Sequence, residues 1–316
     1  MKKVIILLST YNGEKYILEQ LDSLVNQTYK NIEILIRDDG SKDNTVSIIK
    51  KYMLNHKNIK LIKGKNIGFV NSFFELIKKA KGEYYSFCDQ DDIWHLDKIE
   101  KAVSLLNKEN NNIPLLYASN YDYYDDNMTF IAHANKSKYN PSFSNALFEN
   151  ISTGNTMVFN NKARDLVLDT DLDDLIFHDW WLYMVCVALG KVIYDSNSTV
   201  KYRRHSNNVT TVKQDFFGIF IFRLKRYENN NPLYRVYNRP YIGERDADNQ
   251  RVTSVVKNQV YLLISLRHGS RLLHVPFLLC QVLHVPLHFK RFPLRLQADF
   301  HGEGLGDIHG LLASGL

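Results

Sequence analysis

Between Val4 and Leu106 the hydrophobic period changes repeatedly from that of a strand to that of a helix, and this alternation restricts the fold more than any other feature of the chain. Val4-Ile5-Ile6-Leu7-Leu8 is a continuous apolar run of strand length, followed at helical spacing by Ile17, Leu21, Leu24 and Val25. Ile32 to Arg37 repeats the strand, and Val46, Ile49 and Met53 repeat the helix. Ile59 to Ile62 reads as a third strand, with a helix after it that turns Phe69, Phe73, Phe74 and Ile77 inward. Tyr84 to Cys88 reads as a fourth, and Leu96, Ile99, Val103 and Leu106 mark the helix after it. Strands alternating with helices predict a mostly parallel sheet with right-handed crossovers.

Three of these strands end in polar loops. Ser9-Thr10-Tyr11-Asn12-Gly13 follows the first, Asp38-Asp39-Gly40-Ser41 the second, and Asp89-Gln90-Asp91-Asp92 the fourth. Open α/β sheets bind ligands at the carboxyl ends of their strands. The last loop brings three carboxylates to one strand end, a composition that suits a hard divalent ion held together with substrate phosphates. A solvated acidic turn is the alternative for that segment taken alone.

With 316 residues the chain is long enough for a full core, and a net charge of +6 with mixed signs argues against an extended nucleic-acid surface while leaving room for an anionic ligand or membrane. Cys88, Cys186 and Cys280 lie far apart in no metal-like spacing, which predicts buried thiols in a reducing compartment and no disulfide. The apolar start is shorter than a signal-peptide core and reads as a first strand, and no apolar run is long enough to span a bilayer.

Past Pro114 the pattern becomes mixed. Strands are expected at Leu115 to Ala118, near Met128 to Ile131, at Thr156 to Phe159, at Val192 to Tyr194 and at Thr199 to Tyr202, with a helix from about Asp179 to Leu189. From about Pro240 the composition shifts to arginine, histidine and leucine, with a repeated His-Val-Pro at His274 and His284. That tail reads as short amphipathic helices that cap the domain or lie on a membrane, and its glycine-rich end from Gly302 as poorly ordered.

Taken in order, Ser9-Thr10-Tyr11-Asn12, Asp38-Asp39-Gly40-Ser41, Lys65-Asn66-Ile67-Gly68, Lys81-Gly82-Glu83-Tyr84, Asp89-Gln90-Asp91-Asp92 and His178-Asp179-Trp180-Trp181 resemble the motifs of family 2 inverting glycosyltransferases of the GT-A fold. The resemblance covers roughly residues 1–227, with a nucleotide-binding half at 1–112 and an acceptor half at 113–227, and leaves 228–316 as a helical tail. Within the family, Ile176 to Leu182 and Tyr202 to Val209 are most similar to bacterial L-rhamnosyltransferases.

The resemblance implies roles. Asp91 would be the ligand of Mg²⁺ or Mn²⁺, Asp89 would support metal or ribose, and Asp92 would shape the turn. Asp39 would accept the imide N–H of uracil or thymine, with Ser9, Thr10, Tyr11 and Asn12 around the nucleoside, while Asp38 turns the chain and Thr45 starts a helix. Asp179 would be the general base, and His178 departs from the acidic residue usual before it. Thr153-Gly154-Asn155 resembles the loop lining the sugar site, a simple turn being the alternative. Arg203, Arg204 and His205 are placed at the diphosphate or on a solvated basic strand end, and one of Trp180 and Trp181 would stack on a sugar while the other joins the core.

The expectation is therefore a cytoplasmic enzyme, free or peripheral on the membrane, that moves a sugar, L-rhamnose from dTDP-L-rhamnose, to a hydroxyl of a glycan or lipid-linked glycan. Another UDP- or dTDP-sugar, a non-catalytic sugar-nucleotide-binding subunit and a sugar-phosphate nucleotidyltransferase are the alternatives. The last would carry a Gly-rich basic loop after the first strand, which Ser9 to Glu14 lacks.

Overall fold

A computed structural model describes residues 1–134, 140–146, 150–168 and 177–205. The tail beyond Pro240, its histidines, Cys280 and the Ser206 to Val209 part of the last motif lie outside the described residues.

The first half alternates as the periodicity requires: β1 (Val4–Thr10), α1 (Ile17–Val25), β2 (Ile32–Asp38), α2 (Thr45–Met53), β3 (Ile59–Lys63), α3 (Phe69–Lys79), β4 (Tyr84–Cys88), a short β5 (Ile93–Trp94) and α4 (Lys98–Leu106). The second half runs β6 (Leu115–Tyr124), β7 (Phe130–His133), α5 (Phe143–Ala146), a 3₁₀ turn (Gly154–Thr156), β8 (Val158–Asn160), α6 (Asn161–Leu168), α7 (His178–Leu189) and β9 (Lys191–Arg203).

Among the described residues the sheet has the order β3-β2-β1-β4-β8-β6-β9-β5, with β7 paired to β6. β3, β2, β1 and β4 are mutually parallel, and the direction reverses at β8, antiparallel to both β4 and β6. β1 is central and covered on both faces, so Val4 to Leu8 are wholly buried and form an unbroken apolar run rather than an alternating one. Each such side chain contributes about 1.5–3 kcal/mol by leaving water. Helix α7 is apolar nearly all round, with every residue from Trp180 to Cys186 buried, as suits a helix inside the core. Cys88 and Cys186 are buried, and burial raises both thiols above their ordinary range.

Several sequence expectations need correction. The strand expected from Thr156 starts at Val158, because Gly154 to Thr156 form a 3₁₀ turn. The two strands near Tyr194 and Tyr202 are one, β9, whose register against β6 shifts at Ser119, Asn120 and Asp122 and so interrupts the period of two. The strand near Met128 begins at Phe130, Met128 having positive φ in the turn. Phe69, expected inward, is 40% exposed because it opens α3, and Leu96, expected in the next helix, lies before α4, which starts only at Lys98.

Candidate active site

The acidic loop follows β4. Gln90, between its first two carboxylates, fastens this loop to the one after β1: its Oε1 accepts the Thr10 hydroxyl at 2.6 Å and the Tyr11 N–H at 2.9 Å, and its Nε2 donates to the Tyr11 carbonyl at 3.1 Å. A Cβ at Gly13 would collide with the Gln90 amide, so a larger residue there would push Gln90 off its bonds to Thr10 and Tyr11. The sequence offered no role for Gln90. Ser9 and Thr10 turn their hydroxyls inward, to Ser72 and Gln90, whereas Tyr11 and Asn12 stay exposed. Asn12 has φ +49°, a left-handed conformation that asparagine tolerates, and its Oδ1 accepts the Lys42 N–H.

Behind them stands a second buried acid. Asp39 is 3% exposed; its Oδ1 accepts Arg37 Nη1–H and the Ile67 N–H, and its Oδ2 accepts the Gly68 N–H at 2.9 Å. It thus stabilises the start of α3, and one acceptor position of Oδ2 is left over. The Asp39 and Lys65-Asn66-Ile67-Gly68 motifs are thus bonded to each other. Asp38 turns the chain as expected, accepting from the Gly40 and Ser41 backbone and from the Ser41 hydroxyl. Thr45 opens α2 with its Oγ1 bonded to the Gly13 N–H and to Asp43.

Asp89, Asp91 and Asp179 stand near enough for their charges to interact. Burial, reinforced by the negative charges of Asp91 and Asp179, pushes Asp89 up to about 7. Asp91 Oδ2 lies 2.8 Å from His205 Nε2. The His205 ring stacks on Tyr16 at 4.8 Å, and the Tyr16 hydroxyl donates to Asp126. The sequence places His205 at the diphosphate or on a solvated basic strand end; the structure sets it against the acidic loop. Tyr16 was missed, since an aromatic just before a helix carries no signal of its own.

Arg203 also departs from the expectation. Only 3% exposed, it donates through Nε to the Asp91 carbonyl at 2.9 Å, through Nη1 to the Asp126 carbonyl at 2.8 Å and through Nη2 to Glu19, with its guanidinium over the Tyr16 ring. All three nitrogens are engaged within the protein, so Arg203 clamps the site instead of presenting itself to a diphosphate. Arg204 lies over the Tyr123 ring at 4.7 Å and is half-buried.

Across the site, Asp179 occupies the first turn of α7. Its Oδ2 accepts the Gly154 N–H at 3.1 Å and its Oδ1 the Trp180 N–H at 2.7 Å. A Cβ at Gly154 would stand 3.3 Å from Asp179 Cβ, tight enough that one of them must give by a few tenths of an ångström. Asn155, expected to line the sugar site, is wholly buried and donates to Asp92, because its side chain points under the acidic loop. Asp92 is likewise buried; burial, then the charges of Asp91 and Asp89, raise it well above the ordinary carboxylate range. Trp180 and Trp181 are both in the core, Trp180 bonding the Ala146 carbonyl, so neither stands open to a sugar.

His178 explains its own departure from the usual acid. Its ring stacks on Phe73 at 4.2 Å and meets Phe87 edge-on at 4.5 Å, and burial lowers it to about 4, with the Asp179 charge opposing. It is neutral at physiological pH, and its buried Nδ1 has no partner among the described residues. A carboxylate could not sit among those phenylalanines without a large desolvation cost.

A parallel sheet whose strand ends carry the acidic loop, continued by a mixed half that brings a helix-start carboxylate to the same place, defines the GT-A class of nucleotide-sugar transferase. The chain belongs to glycosyl transferase family 2, whose family model matches residues 5–167. It is 33% identical over 215 residues to the dTDP-rhamnosyl transferase RfbG of Shigella flexneri, covering 64% of this chain and 72% of that one. An uncharacterized glycosyltransferase of Haemophilus influenzae is 32% identical over 219 residues, covering 66% and 68%. In fold, the chain is similar to S. aureus TarS in complex with UDP, with a TM-score of 0.52 at 18% identity over 81% of this chain and 71% of that one. The TarS complex with UDP-GlcNAc superposes with a TM-score of 0.51 at 18% identity over 81% and 72%.

Proposed function

We propose that this glycosyltransferase moves L-rhamnose from dTDP-L-rhamnose, with inversion, to a hydroxyl of a cell-surface glycan precursor. The observation that carries the reading is the facing of Asp179, held by the Gly154 N–H at 3.1 Å, with the Asp89 to Asp92 loop, close enough for its charge to raise Asp89. A base on one side and a diphosphate site on the other are what in-line displacement at an anomeric carbon needs. The rhamnose assignment is supported by the similarity to the Shigella flexneri transferase.

In this reading the nucleoside lies over Tyr11 and Asn12, the remaining acceptor position of Asp39 takes the imide N–H of thymine or uracil, and Asp179 removes the acceptor hydroxyl proton as the new bond forms. Asp91 and His205 fit a divalent cation, Mg²⁺ or Mn²⁺: they offer one oxygen and one nitrogen donor at the same point, and substrate phosphate oxygens suit the remaining positions. Among the described residues no three His, Cys, Asp or Glu side chains form a closed metal cage. Such an ion, when bound, supplies neutralisation of the charge developing on the leaving diphosphate. Asp89, half-buried and raised, supports that ion or the ribose.

No helix among the described residues is long and apolar enough to cross a membrane. The basic, leucine-rich tail supports a peripheral location on the cytoplasmic membrane face, which suits a lipid-linked acceptor. Sedimentation with anionic vesicles, with and without the residues after Asn238, checks that location.

The deciding experiment offers a panel of sugar nucleotides and follows release of the nucleoside diphosphate. dTDP-L-rhamnose should be turned over fastest. Faster turnover of UDP-GlcNAc would replace the donor, and binding without any turnover would favour a non-catalytic subunit.

A further inference from the structure

We propose that Asp92 and Asn155 form an internal brace that positions the base Asp179 relative to the Asp91 and His205 side of the site; the inference rests on the transferase reading above. Both residues are buried, at 1% and 0% exposure, so neither has access to substrate. Asp92 Oδ2 accepts the Asn155 amide, and its Oδ1 accepts the Arg203 N–H at 3.0 Å. One carboxylate therefore joins three segments distant in sequence: the acidic loop, the end of β9 that carries His205, and the 3₁₀ turn.

The turn packs on the sheet with all three of its residues buried, and the Ser86 hydroxyl of β4 donates to the Met157 carbonyl just after it at 2.6 Å. Thr156 closes the turn, bonding back to the Thr153 carbonyl through its N–H at 2.9 Å and its hydroxyl at 2.7 Å. Asn155 makes the polar tie from the turn to the acidic loop, and its neighbour Gly154 presents the N–H that fixes Asp179 Oδ2. The path from acid to base is thus Asp92, Asn155, Gly154, Asp179, through two hydrogen bonds and one peptide unit. Burying a carboxylate is costly unless its hydrogen bonds are made, and here both oxygens have a donor that only the assembled site provides. Asn155 Oδ1 is buried without a partner among the described residues, so the amide is kept in place by its donation to Asp92.

A brace of this kind acts on geometry at the reacting centre and leaves nucleotide affinity alone. Asn155→Ala should lower kcat for donor turnover about 10-fold or more, as misplacement by a fraction of an ångström does, while dTDP affinity by calorimetry changes less than about twofold. Asp92→Ala should behave alike. Asp92→Asn is the discriminating variant: its oxygen can still accept from the Arg203 N–H, and a half-turn of the Asn155 amide lets Asn155 Oδ1 accept from the new amide N–H, so it should recover most of the kcat that Asp92→Ala loses. An Asp92→Asn protein as inactive as Asp92→Ala would mean that the negative charge matters, not the brace. Parallel loss of dTDP affinity and turnover in Asn155→Ala would make Asn155 a donor contact, and an unchanged kcat would also overturn the proposal. Should Asn155→Ala fold poorly, Asn155→Ser and Asp92→Asn carry the test. A readout independent of turnover is hydrogen exchange at the Gly154 amide, which its bond to Asp179 should protect in the wild type and which should exchange faster in Asn155→Ser. Unchanged protection would refute the brace even if no sugar nucleotide were turned over, whereas its loss alongside an inactive wild type would leave the brace standing and refute the transferase reading.

Discussion

His205 meets Asp91 across 114 positions of sequence, with Nε2 2.8 Å from Oδ2 and the imidazole packed flat on Tyr16. The acidic loop therefore does not work alone. Asp91→Asn should reduce turnover by about 100-fold or more with the fold intact, since no core is cut. His205→Ala should raise the Mg²⁺ or Mn²⁺ concentration needed for half-maximal rate. Turnover against metal concentration measures both, and full activity in excess chelator would exclude the metal assignment.

Asp179→Asn should lower transfer by roughly 10²–10⁴-fold while donor affinity stays near that of the wild type. Calorimetric titration of the donor beside a transfer assay separates the two quantities. Equal losses in both would make Asp179 a donor-holding residue.

The one open acceptor position of Asp39 makes a prediction about the base. Cytosine N3 carries no proton, so CDP would set two acceptors against each other in a buried place, and it should inhibit roughly 10-fold more weakly than dTDP or UDP. Competition among the diphosphates reads this directly. Equal inhibition by CDP would remove Asp39 from base recognition and leave it as the residue that holds the start of α3.

His178 links stability to acid. Its pKa is about 4 in the folded chain, below the ordinary value near 6.5, so the unfolded chain binds more protons between those limits and stability falls as pH falls through them. The loss amounts to about 3 kcal/mol once pH is below 4. Urea unfolding from pH 7.5 to 4.5 should show a shallower decline for His178→Phe than for the wild type, and identical slopes would contradict the assignment.

Lys98 is wholly buried with no carboxylate partner among the described residues, its Nζ 3.6 Å over the Trp94 ring and 3.2 Å from the Ser86 hydroxyl, and burial lowers it to about 7. Below the ordinary lysine range the unfolded chain again holds more protons, so this group weakens the fold as pH drops from about 10.4 to 7. Lys98→Met keeps the aliphatic volume and should stabilise the protein at pH 7 by about 1–3 kcal/mol, visible as a raised urea midpoint. A lowered midpoint would show that the contacts with Trp94 and Ser86 outweigh the desolvation.

The parallel half of the fold was readable from sequence because each of its elements advertises itself locally: a run of aliphatics for β1, a helical stripe for α1, a turn chemistry for Asp38 and Gly40. What escaped was set by partners far away. Nothing near Arg203 indicates that its guanidinium is enclosed by Glu19, Asp126 and Asp91, and nothing near Asn155 indicates that it faces Asp92. The two-residue β5 is too short to show a period, and β9 was divided in two because its irregular register hides its continuity. Position in a motif located these residues at the site, while their jobs depended on contacts across the sheet.

The salt bridge from Arg203 to Glu19 spans 184 residues and joins the last described strand to the first helix. A ribosome delivers those ends at opposite times. The β1 to β4 layer emerges first, but the acidic loop has neither the Arg203 clamp nor its His205 neighbour until synthesis has passed residue 205. One face of that layer packs on Met157, Phe159 and the buried residues of α7, and the acidic loop is enclosed only when β9 joins α1, so the core and the site are both completed by the last segments of the catalytic unit to be made.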